Sequence, residues 1–210
     1  WVVEIDKDPE EILADTHSKT RYRIRYAQKH GVEAGVVRGE DMRKYLDKFH
    51  ELMSTTADRA LFSLHPKKYY QVIFEDAVTN PDIELVFSKY EGKILAMYII
   101  LHYGDTTFYP LGGSSREHKE LMPTYLTHWQ AILEGQKRGK KLYNFGTVNV
   151  GDKVYNKMWE GITEFKTRFK GRILPYSDSY DIVGQPFWYF LYNFRKKIRP
   201  PVHKKAIKVD

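Results

Sequence analysis

The chain has 210 residues, no Cys, 42% hydrophobic residues and a formal charge of +7, which fits one ordinary globular domain with appendages and excludes disorder, collagen and disulfide frameworks. Its longest apolar run, Ile94 to Leu101, has eight residues, far short of the roughly 20 that a bilayer-crossing helix needs. The charge is localised, because residues 195–210 hold seven Lys or Arg and one Asp; a polyanion would be met by local clusters and this tail.

Trp1 is no initiator residue, so upstream sequence is expected, and the absence of Cys and of a signal peptide suits a cytoplasmic setting. Trp1 to Ile5 reads as a strand. Asp8, Pro9, Glu10 and Glu11 then start a helix, with a capping acid, Pro in the first turn and acids at the positive dipole end; Gly31 ends it. Its second half carries Lys19, Arg21, Arg23, Arg25 and Lys29 with no acid between them. Arg21, Arg25 and Lys29 share one face, which suits either an anion site or a solvated helix end.

A second helix follows from the stripe Met42, Tyr45, Leu46, Phe49, Leu52 and Met53. A third follows Pro66, with Tyr69, Tyr70, Ile73, Phe74 and Ala77 inward. The period then becomes strand-like, and Glu84–Tyr90, Lys93–Tyr103 and Thr106–Leu111 form an antiparallel meander joined by the turns Glu91-Gly92 and Gly104-Asp105. Gly112-Gly113-Ser114-Ser115 is expected as a loop before a helix, where its amides and hydroxyls would either hold a carboxylate or phosphate or make a plain turn. The helix after it presents Tyr125, Leu126, Trp129, Ile132 and Leu133 on one face and stops near Gly139. Lys141 to Phe145 gives a short strand, strand signals run from about Phe165 to Tyr180, and Pro186 starts an aromatic helix, FWYFLYNF, that leads into the basic tail.

This order predicts an α+β fold, a mixed, mainly antiparallel sheet covered by helices. The chain lacks a Gly-x-Ser-x-Gly elbow, an HExxH pair, a phosphate loop and a dinucleotide fingerprint. Its eight His show no zinc-ligand spacing on a predicted helix, so no metal is nominated. Lys166, in the alternating segment GITEFKTRFKG, is expected on a strand; spacing alone favours a solvated rim charge over a fixed cation for a developing oxyanion.

Several stretches together resemble the FemABX family, transferases that move an amino acid from aminoacyl-tRNA onto the stem peptide of a peptidoglycan precursor. They are KTRYRIRYAQKHGV, the Gly-Gly-Ser-Ser loop with MPTYLTHWQAI after it, GQKRGKKLYNFG, and WEGITEFKTRFKG followed by Tyr180-Asp181. The resemblance implies a GNAT-like acyltransferase fold over residues 1–183, the second of two such domains in the family, with 184–210 as the aromatic helix and basic tail. It implies that Phe165 and Lys166 form the catalytic pair, Lys166 stabilising charge as the ester carbonyl becomes tetrahedral. Precursor contacts are expected from Arg21, Arg25, Lys67, Lys68, Ser114, Ser115, Tyr180 and Asp181. The acceptor stem of tRNA is expected at Lys137, Arg138, Lys140, Lys141, Arg168, Lys170 and Arg172. The implied partners are aminoacyl-tRNA and a UDP-linked or lipid-linked pentapeptide precursor, without a bound cofactor. The resemblance also implies that the final segment returns to pack on the family's first domain, which would account for the aromatic run Phe187 to Phe194; the alternative is a peripheral contact of the tail with the inner face of the plasma membrane. Two other readings are an acyl-coenzyme A N-acyltransferase, although GGSSREHKELMP lacks the usual pyrophosphate-loop pattern, and a non-catalytic basic module that binds RNA or membrane.

Overall fold

Alternating side chains along the meander build the centre of a six-stranded sheet of order β1-β6-β5-β4-β3-β2. The structure, a computed structural model, describes residues 1–60, 62–149, 160–176 and 180–198, and the chain divides into two compact units, Trp1–Leu174 and Pro175–Asp210. In the first unit the strands are β1 (Val2–Glu4), β2 (Glu33–Val37), β3 (Ile83–Tyr90), β4 (Lys93–Tyr103), β5 (Thr106–Ser114) and β6 (Leu142–Asn144). All neighbours are antiparallel except β5 and β6, which pair in parallel.

Helices cover both faces. α1 (Pro9–Asp15), α2 (Ser18–Lys29) and α5 (Pro123–Lys137) bury Ile12, Leu13, Ile24, Leu126, Trp129 and Ile132 against Val86, Ile100 and Tyr143. A 3-10 turn (Gly39–Tyr45), α3 (Leu46–Ala60) and α4 (Lys67–Thr79) bury Met42, Phe49, Leu52, Tyr70 and Phe74 against Leu85, Met97 and Ile99. Neighbours Leu85 and Val86 thus serve opposite layers, as a two-sided strand requires.

The structure corrects the sequence reading in six places. The single helix expected from Asp8 to Gly31 is two, because Thr16 adopts an extended conformation and His17 caps α2, its Nδ1 accepting the Lys19 amide at 3.1 Å. β2 was not expected; its mixed sequence EAGVV gains strand geometry by pairing along β3, from Glu33 opposite Lys89 to Val37 opposite Leu85. The second helix opens as a 3-10 turn. Tyr69 is exposed while Tyr70 takes the buried position. Gly112, Gly113 and Ser114 belong to β5, not to a loop. The expected strand after Phe165 is instead α6 (Glu160–Thr167), since Ile162, Phe165 and Phe169 fit helical spacing as well as alternation and the aromatic pair packs into the core. Beyond α6, Arg172 makes one isolated bridge to Val2.

Gly113 explains why β5 passes so close to α3. A Cβ there would lie 2.4 Å from the Leu52 carbonyl carbon, so the helix backbone rests directly on the strand. Gly113→Ala is expected to destabilise the unit by about 2–3 kcal/mol through overpacking, measured as a shift in urea midpoint at constant slope.

The second unit contains α7 (Pro186–Ile198), a helix started by Pro186 as the sequence predicts.

Candidate active site

The site lies where two parallel strands separate. β5 and β6 pair from Thr106 opposite Leu142 to Phe108 opposite Asn144. Beyond that, β5 stays with β4 to Ser114, whereas β6 ends and the chain turns at Gly146, whose φ is +78°. The Gly146 amide donates to Asn144 Oδ1 at 2.7 Å. The Phe145 amide stays tied to the Trp1 carbonyl at 2.9 Å, so the separation is on the side of β5, and the carboxyl ends of diverging parallel strands are where ligands commonly bind.

α6 brings Lys166 to this opening. Its Nζ donates to the Thr147 carbonyl at 2.9 Å, and it would lie 3.8 Å from a Cβ placed on Gly146. The side chain is half-buried, and burial pushes its ammonium down to about 8. Helical geometry turns the preceding residue, Phe165, into the core, where its ring meets Tyr125 at 4.8 Å, His128 at 5.3 Å and Phe169 at 5.6 Å. One residue thus anchors the helix and the next presents a charge.

Four further groups, which the sequence reading missed, lie behind Lys166 and along β5: His128, Tyr98, Tyr109 and Arg59. His128 of α5 is buried, its ring within 4.4–4.8 Å of those of Tyr98, Tyr109 and Phe145. Its Nδ1 is 2.9 Å from the Tyr143 hydroxyl. Burial, reinforced by the Lys166 charge, holds His128 well below the ordinary imidazole range, so the ring is neutral at pH 7. Burial likewise pushes the Tyr98 and Tyr109 phenols up, with Arg59 of α3 opposing in both. Arg59 Nη2 donates to Ser114 Oγ at 3.0 Å at the far end of β5, and it makes no ion pair among the described residues. His128 had one visible signal, a polar residue spaced three from Tyr125 and four from Ile132 on the apolar stripe of α5. Arg59 and Tyr98 had none, because only the sheet brings them together.

The predicted precursor residues are dispersed. Arg21 donates to the Leu13 and Ala14 carbonyls at 3.1 and 3.0 Å, and so caps α1. Arg25 pairs with Glu10 at 3.0 Å, Lys67 pairs with Asp47 at 2.6 Å, and Lys68 is exposed on α4. Ser114 is buried against Thr56 and Arg59, and Ser115 Oγ accepts the Glu117 amide. Tyr180 and Asp181 belong to the second unit; Tyr180 is exposed and Asp181 Oδ2 accepts from Tyr189 at 2.6 Å.

The predicted tRNA cations fall into two places. Lys137 pairs with Glu134 at 2.8 Å, Arg138 Nε donates to Glu84 at 2.9 Å, Lys140 donates to the Gly104 carbonyl at 2.8 Å, and Lys141 is exposed. Arg168 pairs with Glu164 one turn earlier. Lys170 and Arg172 line a cavity of about 320 Å³ together with Val2, Glu4, Lys7 and Asp15. No group of three or more His, Asp or Glu that could hold a metal occurs among the described residues.

An acetyltransferase (GNAT) domain model matches residues 18–166, from the start of α2 to Lys166. The chain is 22% identical to a lipid II:glycine glycyltransferase of Staphylococcus haemolyticus across 275 aligned residues, covering all of this chain and 63% of the relative. It is 26% identical to the enzyme of the same name from Staphylococcus epidermidis, covering 60% of this chain and 30% of that one. The crystal structure of FemX superposes with a TM-score of 0.70 at 20% identity, over 80% of this chain and 57% of that protein. The chain therefore spans less than two thirds of these relatives. The domain model covers more than half of the chain and ends on Lys166, beside the one parallel strand pair among the described residues; the chain belongs to the acetyltransferase (GNAT) domain family, with sequence similarity to lipid II:glycine glycyltransferases and the fold of FemX.

Proposed function

We propose that this chain carries the acyl-transfer centre of an enzyme that adds an amino acid to the stem-peptide amine of a peptidoglycan precursor, with aminoacyl-tRNA as donor. One observation carries this reading: the Lys166 ammonium, desolvated and hydrogen-bonded to Thr147, stands at the mouth of the β5–β6 opening. Relatives named lipid II:glycine glycyltransferase supply the substrate class.

The chemistry follows from that cation. The amine nitrogen attacks the ester carbonyl carbon, a C–N bond forms, and negative charge collects on the carbonyl oxygen. Lys166 donates a hydrogen bond to this oxyanion, and in a half-buried site its charge is screened less than in water. Collapse breaks the C–O bond to the ribose, and the proton lost by the amine ends on the departing ribose oxygen. His128 is too short of basicity to take that proton, given its depressed pKa.

Arg59, with Ser114 at its tip, offers a charge for an anionic group of the precursor at the other end of β5. The clusters Lys137–Lys141 and Arg168–Arg172 offer phosphate contacts for the acceptor stem, so tRNA affinity should fall steeply as salt rises. The site of action on this reading is the cytoplasmic side of the membrane, where both substrates are found; no helix of the described residues is long and apolar enough to cross a bilayer.

Single-turnover transfer of radiolabelled amino acid from a mixed charged-tRNA pool to purified UDP-linked and lipid-linked precursors tests the reading. Label on the stem peptide is expected. Acylation from acetyl-coenzyme A with no transfer from any charged tRNA would replace it with the coenzyme A reading.

A further inference from the structure

We infer that the Lys166 side-chain nitrogen is itself an acyl acceptor: with no substrate amine present, the activated ester or thioester that enters the β5–β6 opening acylates it and leaves a stable amide. The inference goes beyond the transfer reading and stands without it, since an oxygen ester and a thioester serve alike.

The geometry comes from α6 and the turn after β6. Lys7, Lys44, Lys48 and Lys67 each hold a carboxylate within 3.0 Å, which favours the charged form of the amine. Lys166 holds no carboxylate among the described residues; its Nζ donates to the Thr147 carbonyl at 2.9 Å. A carbonyl accepts an N–H from an amine as well as from an ammonium, so this bond keeps the nitrogen in place after the proton leaves, with its lone pair free. The acids of its own helix lie elsewhere: Glu164 falls about 160° and Glu160 about 120° round α6, and Glu164 is taken by Arg168. The titratable groups that face Lys166, the His128 ring and the Trp1 amino group, bring no negative charge, and both are held low by burial and then by the Lys166 charge.

Burial acts on Lys166 in the same sense, and it titrates at about 8. Roughly one tenth is therefore amine at pH 7, against about one part in 3,000 for an ordinary Lys. Lower basicity also weakens a nucleophile, by roughly one order of magnitude here on the precedent of thiols, which leaves an advantage of about tenfold or more.

Position completes the chemistry. A nitrogen within hydrogen-bond reach of an acyl oxygen lies within about 4 Å of the acyl carbon, close to attack range. The neutral Nζ attacks that carbon and a C–N bond forms. Collapse breaks the C–O bond to ribose or the C–S bond to coenzyme A, and the proton shed by the nitrogen ends on the departing oxygen or sulfur. The amide carries no charge, so the modified centre has lost its cation.

The test incubates the whole 210-residue chain, without acceptor amine, with a pool of tRNA charged with radiolabelled amino acids, with acetyl-coenzyme A or with p-nitrophenyl acetate, and maps acylated lysines by peptide mass spectrometry. At pH 7, p-nitrophenyl acetate and one of the two biological donors should acylate Lys166 about tenfold or more faster than the average of the other lysines. Charged tRNA identifies an oxygen-ester source, and acetyl-coenzyme A a thioester source. The Lys166 rate should level off above about 8, while those of ordinary lysines climb towards about 10.4. Lys166→Arg, with an unchanged thermal melt, should remove most of the protein-bound radiolabel. Acylation of Lys166 at the rate of the other lysines, or by p-nitrophenyl acetate but by neither biological donor, overturns the inference. Amino-acid transfer to a precursor by a chain that never labels Lys166 sinks this inference and leaves the transfer reading standing; label from acetyl-coenzyme A with none from charged tRNA does the reverse.

Discussion

Lys166→Met in the intact enzyme is expected to cut turnover roughly 100-fold or more while changing substrate affinity little, the pattern of a group that acts on charge formed in the transition state. The same change should raise stability. The Lys166 ammonium titrates at about 8 in the fold against 10.5 as the ordinary value, so between those values the unfolded chain holds the proton more tightly. The buried charge therefore costs stability at neutral pH, and that cost fades as pH rises from about 8 towards 10.5. The side chain is only half-buried, so the full shift overstates the effect, and Lys166→Met should gain about 1–2 kcal/mol at pH 7. Activity follows the opposite sign. The charged form prevails below about 8, so wild-type turnover should descend through that region and the Met variant should lack this limb. Urea melts at neutral and alkaline pH, beside single-turnover rates across the same range, read both effects. Undiminished turnover in Lys166→Met would remove the oxyanion role.

The parts of this fold that sequence reasoning recovers are those in which local and global demands agree. The meander declares itself because its alternation is long and its turns hold Glu91-Gly92 and Gly104-Asp105, with Glu91, Gly92 and Gly104 at positive φ. The stripes of α3 and α5 are equally plain, since each buries one continuous face. What escapes is context-made structure. β2 is a strand because β3 is there to pair with it. α6 is ambiguous because Phe165 and Phe169 satisfy both periods, and only the aromatic cluster around His128 decides in favour of the helix. The same ambiguity hid the site's geometry. Family resemblance nominated Lys166, but its relation to Gly146 and Thr147 depends on how β6 leaves β5, and Arg59 meets Ser114 across 55 residues of chain.

The second large effect is expected far from that lysine. Glu84→Ala should cost about 3–5 kcal/mol of unfolding free energy, the usual penalty for removing one member of a buried ionic cluster. Glu84 of β3 is fully buried, and Arg38 Nε reaches it at 2.6 Å, Arg138 Nε at 2.9 Å and His102 Nε2 at 3.3 Å. Burial alone would raise its carboxyl; the hydrogen bonds from His102, Arg38 and Arg138 overcome that and hold it at about 2. The folded value is thus depressed below 4.5. The contribution is complete above that value and is lost as pH falls towards about 2. Wild-type urea midpoints should drop steeply in this acid window, and those of Glu84→Ala should drop less because the group is already gone. A double-mutant cycle with Arg38→Met separates the pair energy from the penalty on the stranded guanidinium. The network also bears on function, since Arg138 follows α5 and Glu134 lies on it, paired with Arg38 and Lys137. This ties the C-terminal end of α5 to the sheet just before β6 begins. Loosening that tie should let β6 shift against β5, so the surviving folded fraction of Glu84→Ala should also transfer more slowly, though less so than Lys166→Met.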